Sequence, residues 1–167
     1  MKSTTSSNLQ PQLQSSFTYR DVVYDVDWYD LGHELPSLPW SQVYVIGDVE
    51  GKSPIVHYDT GDKNNLPGGS FEPGETVEEA LKREIKEEIN YDVISWTPIG
   101  YQKIRNPETY QLRVCAKLKK IDDFTNDPGG HVIGHSLVPI DELNSYIRYG
   151  EIGDRMVKIA KSRLKRS

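Results

Sequence analysis

Three glutamates, Glu84, Glu87 and Glu88, stand in the segment LPGGSFEPGETVEEALKREIKEEINY, residues 66–91. Their i, i+3, i+4 spacing makes them neighbours on the surface of a helix. On a wheel begun at Val77, Lys82, Lys86 and Glu79 occupy roughly the 140–200° sector, while the three glutamates fall on the other side, merging with the stripe of Val77, Leu81, Ile85 and Ile89. A run of Glu and Lys is ordinarily a solvated face, but these angles count against that reading. Adjacent anions beside an apolar stripe repel one another and resist desolvation. A divalent cation among them relieves both costs. A ligand set made of carboxylate oxygens suits Mg²⁺ or Mn²⁺ rather than Zn²⁺.

Such a site needs a helix that starts at the right place and a loop that can approach it. Thr76 with Glu79 three residues later is a capping-box pattern, which predicts a helix over 77–89. Gly68 and Gly69 permit close approach of the preceding backbone. Glu75 lies just before the helix, and Arg83 can reach back to it or forward to Glu87.

Around this unit the chain alternates strands and helices. Residues 17–28, rich in Tyr and Val, read as one or two strands, and 31–39 as a loop. Residues 42–46 read as a buried strand, with 54–58 as its hairpin partner across the turn at 47–53. Gly61–Gly74 reads as a long irregular loop. Strands are expected at 93–105 and 109–120, interrupted by Asn106-Pro107, and a short one at 135–138. A helix follows from about Asp141, and a basic amphipathic helix from about 154. Strands with segregated helices predict an α/β (α+β) domain or three-layer sandwich spanning 17–167, preceded by a flexible tail at 1–16.

Composition narrows the function. The chain has 167 residues and a net charge of −5. Residues 155–167 carry six basic groups and no acidic ones, while residues 21–154 hold 12 basic against 25 acidic groups, a net of −13. A surface of that sign disfavours nucleic acid as a partner, since phosphates need excess Lys and Arg. Phosphate chemistry here would require a cation. No segment is apolar enough for a secretory signal or a membrane span. The lone Cys115 cannot form an internal disulfide, which fits a reducing cytoplasm; its alternating surroundings predict a packed thiol. The oligomeric state, a homodimer included, is left open.

The joint spacing of Gly69, Glu75, Arg83-Glu84, Ile85, Glu87-Glu88, Asn90 and Tyr91 resembles the Nudix box. The box covers 69–91, about one seventh of the chain, and the flanking strand order extends the likeness over about 40–150. The departure is Asn90 in place of the usual Gly, which closes the helix in a left-handed conformation that Asn tolerates next best. The resemblance implies an α/β/α sandwich around a mixed sheet. It implies a Mg²⁺- or Mn²⁺-dependent hydrolase of a nucleoside diphosphate linked to another group, with a small nucleotide as substrate: a nucleoside triphosphate, ADP-ribose or a nucleotide sugar. It further implies metal ligation by Glu84, Glu87, Glu88 and the Gly68 carbonyl, with Glu75 and Arg83 joining loop to helix. A binding module without catalysis and an RNA-end pyrophosphohydrolase are the competing readings. A downstream Glu that many members use as base is missing from 127–135, leaving Asp127, His131, His135 or a box glutamate. For the substrate, Pro107 sits 16 residues after Tyr91, as in members acting on ADP-ribose, and Tyr110 near a tyrosine of dinucleoside-polyphosphate hydrolases. Arg105 and Arg113 are cations that could touch phosphate, and Tyr44, Tyr101, Tyr110 and Phe124 rings that could stack on a base. Turn, surface-pairing and core roles are the ordinary alternatives for all of these. The basic C-terminal helix would be the docking strip if RNA were the partner.

Overall fold

The computed structural model describes residues 9–60 and 63–165. Strands β1 (Leu13–Tyr19), β2 (Val22–Asp30), β3 (Trp40–Asp48), β4 (Lys52–Tyr58), β5 (Asn64–Asn65) and β6 (Gly68–Ser70) precede helix α1 (Val77–Ile89). Then come β7 (Tyr91–Ile104), β8 (Thr109–Lys120), β9 (Val132–Pro139), a 3₁₀ turn at Ile140–Glu142, and helices α2 (Leu143–Ile147) and α3 (Gly150–Leu164). A six-stranded sheet runs β1-β2-β7-β8-β3-β6, and a three-stranded sheet runs β5-β4-β9. The β3–β8 pair is parallel and its neighbours are antiparallel, so the large sheet is mixed.

The period of two along the strands divides the core into two layers. Val43 and Val45 of β3 and Leu112 and Val114 of β8 pack with Leu81, Ile85 and Ile89 of α1. Ile46 and Cys115 face the opposite way, toward Trp28 and toward Ile152, Met156 and Ala160 of α3. The result is the expected α/β/α sandwich. Cys115 is buried, and burial pushes its thiol up to about 11, so it behaves as packing rather than as a nucleophile.

Several boundaries differ from the sequence expectation. Residues 13–16, expected in a flexible tail, belong to β1, which pairs with β2 from Leu13↔Trp28 to Tyr19↔Val22. The hairpin is set by a tight turn in which Arg20 and Asp21 both have positive φ, and by stacking of Phe17 on Tyr24 at 5.2 Å. Residues 1–8 of that expected tail lie outside the described residues. The expected β3–β4 hairpin holds only as an isolated bridge, Val49↔Lys52. Both edges of β3 are taken, by β8 and β6, so β4 pairs with β9 and β5 and starts a second sheet. The loop at 61–74 contains β5 and β6. The helix expected from Asp141 is a 3₁₀ turn followed by a short α-helix, and the terminal helix begins at Gly150 rather than 154.

Helix α1 begins as predicted. The Thr76 side chain accepts from the Glu79 amide, and the Glu79 carboxylate accepts from the Thr76 amide. It ends at Asn90, left-handed at φ 60° and ψ 50°, whose side-chain amide donates to the Asp123 carbonyl at 3.3 Å. A left-handed conformation costs an L-residue roughly 1–2 kcal/mol, less for Asn. Asn90→Ala should therefore lower unfolding stability by about 1 kcal/mol, and Asn90→Gly should hold it within about 0.5 kcal/mol of the parent. Urea midpoints of the three proteins test this, and equal losses in both variants would contradict the capping role.

Candidate active site

Strand β6 and the following loop are fastened to α1 by one guanidinium. Arg83 Nε donates to Glu75 Oε2 at 2.9 Å, and Nη2 donates to Glu75 Oε1 at 2.8 Å and to the Ser70 carbonyl at 2.9 Å. Its Nη1 donates to Glu84 Oε1 at 3.0 Å and to Glu87 Oε2 at 3.3 Å. The Arg83 hydrogen bond holds the Glu75 carboxyl below its usual range. Glu75 also accepts from the Glu72 amide at 2.6 Å, closing the loop on itself.

Gly68 is required by contact with backbone, and Gly69 lies directly against the Glu84 carboxylate. A Cβ on Gly68, whose φ is +147°, would lie 2.1 Å from the Val43 carbonyl oxygen. A Cβ on Gly69 would lie 2.5 Å from Glu84 Oε1. The Gly68 amide donates to Glu88 Oε2 at 3.0 Å, so the loop backbone and the helix carboxylates meet directly.

Glu84 and Glu88 are buried, and Glu87 is partly exposed. All three line a cleft of about 560 Å³ together with Gly68, Gly69 and Arg83. Burial pushes the Glu88 carboxyl up to about 8, against the hydrogen bond from Gly68, and the charges of Glu84, Asp127 and Glu87 push the same way. Burial likewise raises Glu84, against the pull of Arg83. A site that resists its own ionisation in this way is one that a cation would relieve. Its donors are oxygen, as Mg²⁺ or Mn²⁺ prefers. Among the described residues no three His, Cys, Asp or Glu side chains already converge as a metal cage. Arg83 holds oxygens of Glu84 and Glu87 and is itself anchored by its bonds to Glu75 and Ser70.

Of the expected base candidates, Asp127 and His131 line the cleft. Asp127 also accepts from the amides of Gly129 and Val132, so it shapes its own loop. His135 is not among the cleft's lining residues; it packs edge-on against Tyr91 at 5.4 Å, and burial lowers its pKa. Arg105, Pro107 and Tyr110 stand around the β7–β8 turn, outside the cleft lining. Arg105 pairs with Asp27 at 3.3 Å, Tyr110 donates to Glu108, and Pro107 follows Asn106 in that turn. Three basic groups of the C-terminal helix are engaged within the protein. Arg155 pairs with Asp30, Lys161 with Asp141, and Arg163 donates to the carbonyls of Leu31 and Pro98.

Sequence reasoning did not single out Tyr58, which enters the cleft from β4 and is pushed up to about 12 by burial and by Glu88. It could not be found from spacing, because β4 reaches the cleft only through the second sheet. Nor did it foresee Arg113 as an interior residue. Arg113 is 2% exposed and is not a surface ion pair.

The family model described as NUDIX domain matches residues 49–158. The chain belongs to the Nudix family. It is a Nudix-type hydrolase, and metal dependence is general to that family. No curated protein sequence matches this chain. Among solved structures, a point mutant of the Bacillus subtilis pyrophosphohydrolase BsRppH is 22% identical, with 89% of this chain and 97% of that one covered at a TM-score of 0.70. An ADP compounds hydrolase is 16% identical over 94% of this chain and 95% of its own, TM-score 0.58. A UDP-X diphosphatase is 18% identical over 78% and 66%, TM-score 0.54. At these identities the likeness is one of Nudix fold. Among the described residues no helix is long and apolar enough to cross a membrane.

The raised Glu88 has a direct consequence for the metal-free protein. Its folded pKa of about 8 exceeds the ordinary 4.5. The contribution of Glu88 to stability is then fully present below about 4.5, where the carboxyl is protonated in both states, and is lost as pH rises toward 8. Glu88→Gln should flatten that fall. Urea midpoints at about pH 5 and about pH 8 in EDTA measure it, and identical slopes in parent and variant would count against a desolvated Glu88.

Proposed function

We propose that this chain is a Mg²⁺- or Mn²⁺-dependent pyrophosphohydrolase of a small nucleotide, cleaving the linkage of a nucleoside diphosphate joined to another group. The observation that carries the reading is the meeting of Glu84, Glu87, Glu88 and the Gly68 backbone in one cleft. Glu84, Glu87, Glu88 and the Gly68 carbonyl would hold the cation. When bound, it supplies charge neutralisation of the diphosphate and lowers the pKa of a water.

The residues of the chain do the rest. Arg83 keeps the Gly68–Glu75 loop against α1, so the backbone and the carboxylates stay in register. Glu87, the most exposed of the three, is accessible to accept a proton from water. Asp127 and His131 lie across the same cleft and are the alternatives for that step. Tyr58 lines one side of the cleft.

The neighbours' names span a pyrophosphohydrolase, an ADP-compound hydrolase and a UDP-X diphosphatase, so they support the bond class rather than one substrate. An RNA-end substrate docked on α3 is disfavoured, because Arg155, Lys161 and Arg163 are already engaged. A module that only binds would have no use for two buried carboxylates that resist ionisation.

The test is turnover of nucleoside triphosphates, ADP-ribose, nucleotide sugars, dinucleoside polyphosphates and capped RNA with Mg²⁺. The parent should hydrolyse at least one of them. Glu87→Gln should lower kcat by about 10²-fold or more, the usual scale for losing a group that stabilises developing charge. No turnover of any member removes the proposal, and undiminished turnover by the variant removes the ligand assignment.

A further inference from the structure

Arg113, on β8, is buried, with no counter-ion among the described residues. Its Nη2 donates to Gln102 Oε1 at 3.0 Å and Gln111 Oε1 at 3.3 Å, and Nη1 to the Leu112 carbonyl at 3.4 Å. The rings of Tyr44 and Tyr149 lie 4.7 and 5.8 Å from its guanidinium carbon. Among the described residues no carboxylate pairs with it, and its Nε has no hydrogen-bond partner. Amide oxygens and aromatic faces return only part of the cost of burying a cation.

Arg113 lines a second cavity of about 590 Å³, set between β1, the β7–β8 pair and the turn from α2 to α3. Lys63 and Arg148 line it too, and no Asp or Glu appears among its described lining residues. In a chain of net charge −5, a cavity with three cations and no carboxylate is matched to an anion.

The cavity shares no described lining residue with the carboxylate cleft and lies across the sheet from it, but the two are close along the backbone. Arg113 is register partner to Tyr44, and Tyr44 to Gly68, whose amide holds Glu88. That is two strand spacings, or about 10 Å. A polar chain follows the same route: Gln111 donates to Gln42 at 2.6 Å, and Gln42 reaches the Ser70 hydroxyl at 3.5 Å. Ser70 offers its carbonyl to Arg83. Strand β6 is the edge of the sheet, so a nucleotide reaching past it could occupy both places.

We propose that this cavity is a phosphate subsite. The nucleotide would carry a second phosphate on its ribose, away from the diphosphate linkage, and Arg113, with Lys63 and Arg148, would hold it. This rests on the hydrolase reading only for where the rest of the ligand lies. The same chemistry could come from a ribose 3′-phosphate monoester or from the first phosphodiester of an oligonucleotide.

The test is calorimetric titration of the intact protein in EDTA with adenosine, adenosine 3′,5′-bisphosphate and the 5′-phosphorylated dinucleotide pApA. Binding is read without metal and without turnover, so failure of the hydrolase test and failure here are separate results. At least one phosphorylated ligand should bind the parent about 10-fold or more tighter than adenosine, the scale of a charge-assisted hydrogen bond. Tighter binding of the bisphosphate identifies a monoester as the source, and of pApA a diester. Arg113→Met should abolish that preference. Lys63→Ala, at an exposed position, should weaken it about 3-fold without affecting folding. Equal binding of adenosine and both phosphorylated ligands by the parent overturns the proposal. So does a preference that survives in a folded Arg113→Met or, should that variant not fold, one that is undiminished in Lys63→Ala.

Discussion

The grip of Arg83 on the loop before α1 is the contact on which the site depends. A single planar guanidinium ties Glu75, the Ser70 carbonyl, Glu84 and Glu87 together. The rigid fork of an arginine suits this task, because each donor direction is set by the others. Lysine, a point charge on a flexible stem, would hold at most part of the set. Through this contact the glycine turn is kept close enough for the Gly68 amide to meet Glu88 and for Gly69 to lie against Glu84. The helix cap at Thr76 fixes the phase of α1, and the phase places the carboxylates.

The same arrangement carries an electrostatic cost. Two of the three carboxylates are buried, and burial raises both. The fold bears this because α1 is held elsewhere, by Leu81, Ile85 and Ile89 packed on β3 and β8. Packing stabilises the helix on one flank while the adjoining flank retains groups that would prefer water. Arg113 is the counterpart on the other side of the sheet, a cation kept from water with no anion paired to it among the described residues. The two costs have opposite sign and lie about two strand spacings apart.

The division into two sheets creates the cleft. Because β8 and β6 occupy both edges of β3, β4 leaves and pairs with β9. That divergence brings Tyr58 and the 127–131 loop across from α1. A simple β3–β4 hairpin would have left the carboxylates on an open face.

The helix, its cap, its three-glutamate face, the reach of Arg83 to Glu75 and Glu87, and the α/β/α class were legible in the sequence. All rest on interactions between residues close along the chain or on periodicity, which sequence carries directly. The strand at Leu13 was not legible, because LQSS has no apolar run and gains its structure from pairing with β2. The fate of Arg113 was equally hidden. In sequence it is one cation in an alternating strand, and whether it meets water, a carboxylate or two tyrosines depends on Tyr44 and Tyr149, which are distant in the chain. The engagement of Arg155, Lys161 and Arg163 with residues far upstream was hidden for the same reason. By itself the sequence determined which groups sit together on α1, since helical geometry is local. Only the tertiary structure decided what faces them and which charges stay unpaired, since strand pairing joins residues far apart in the chain and sets what is desolvated.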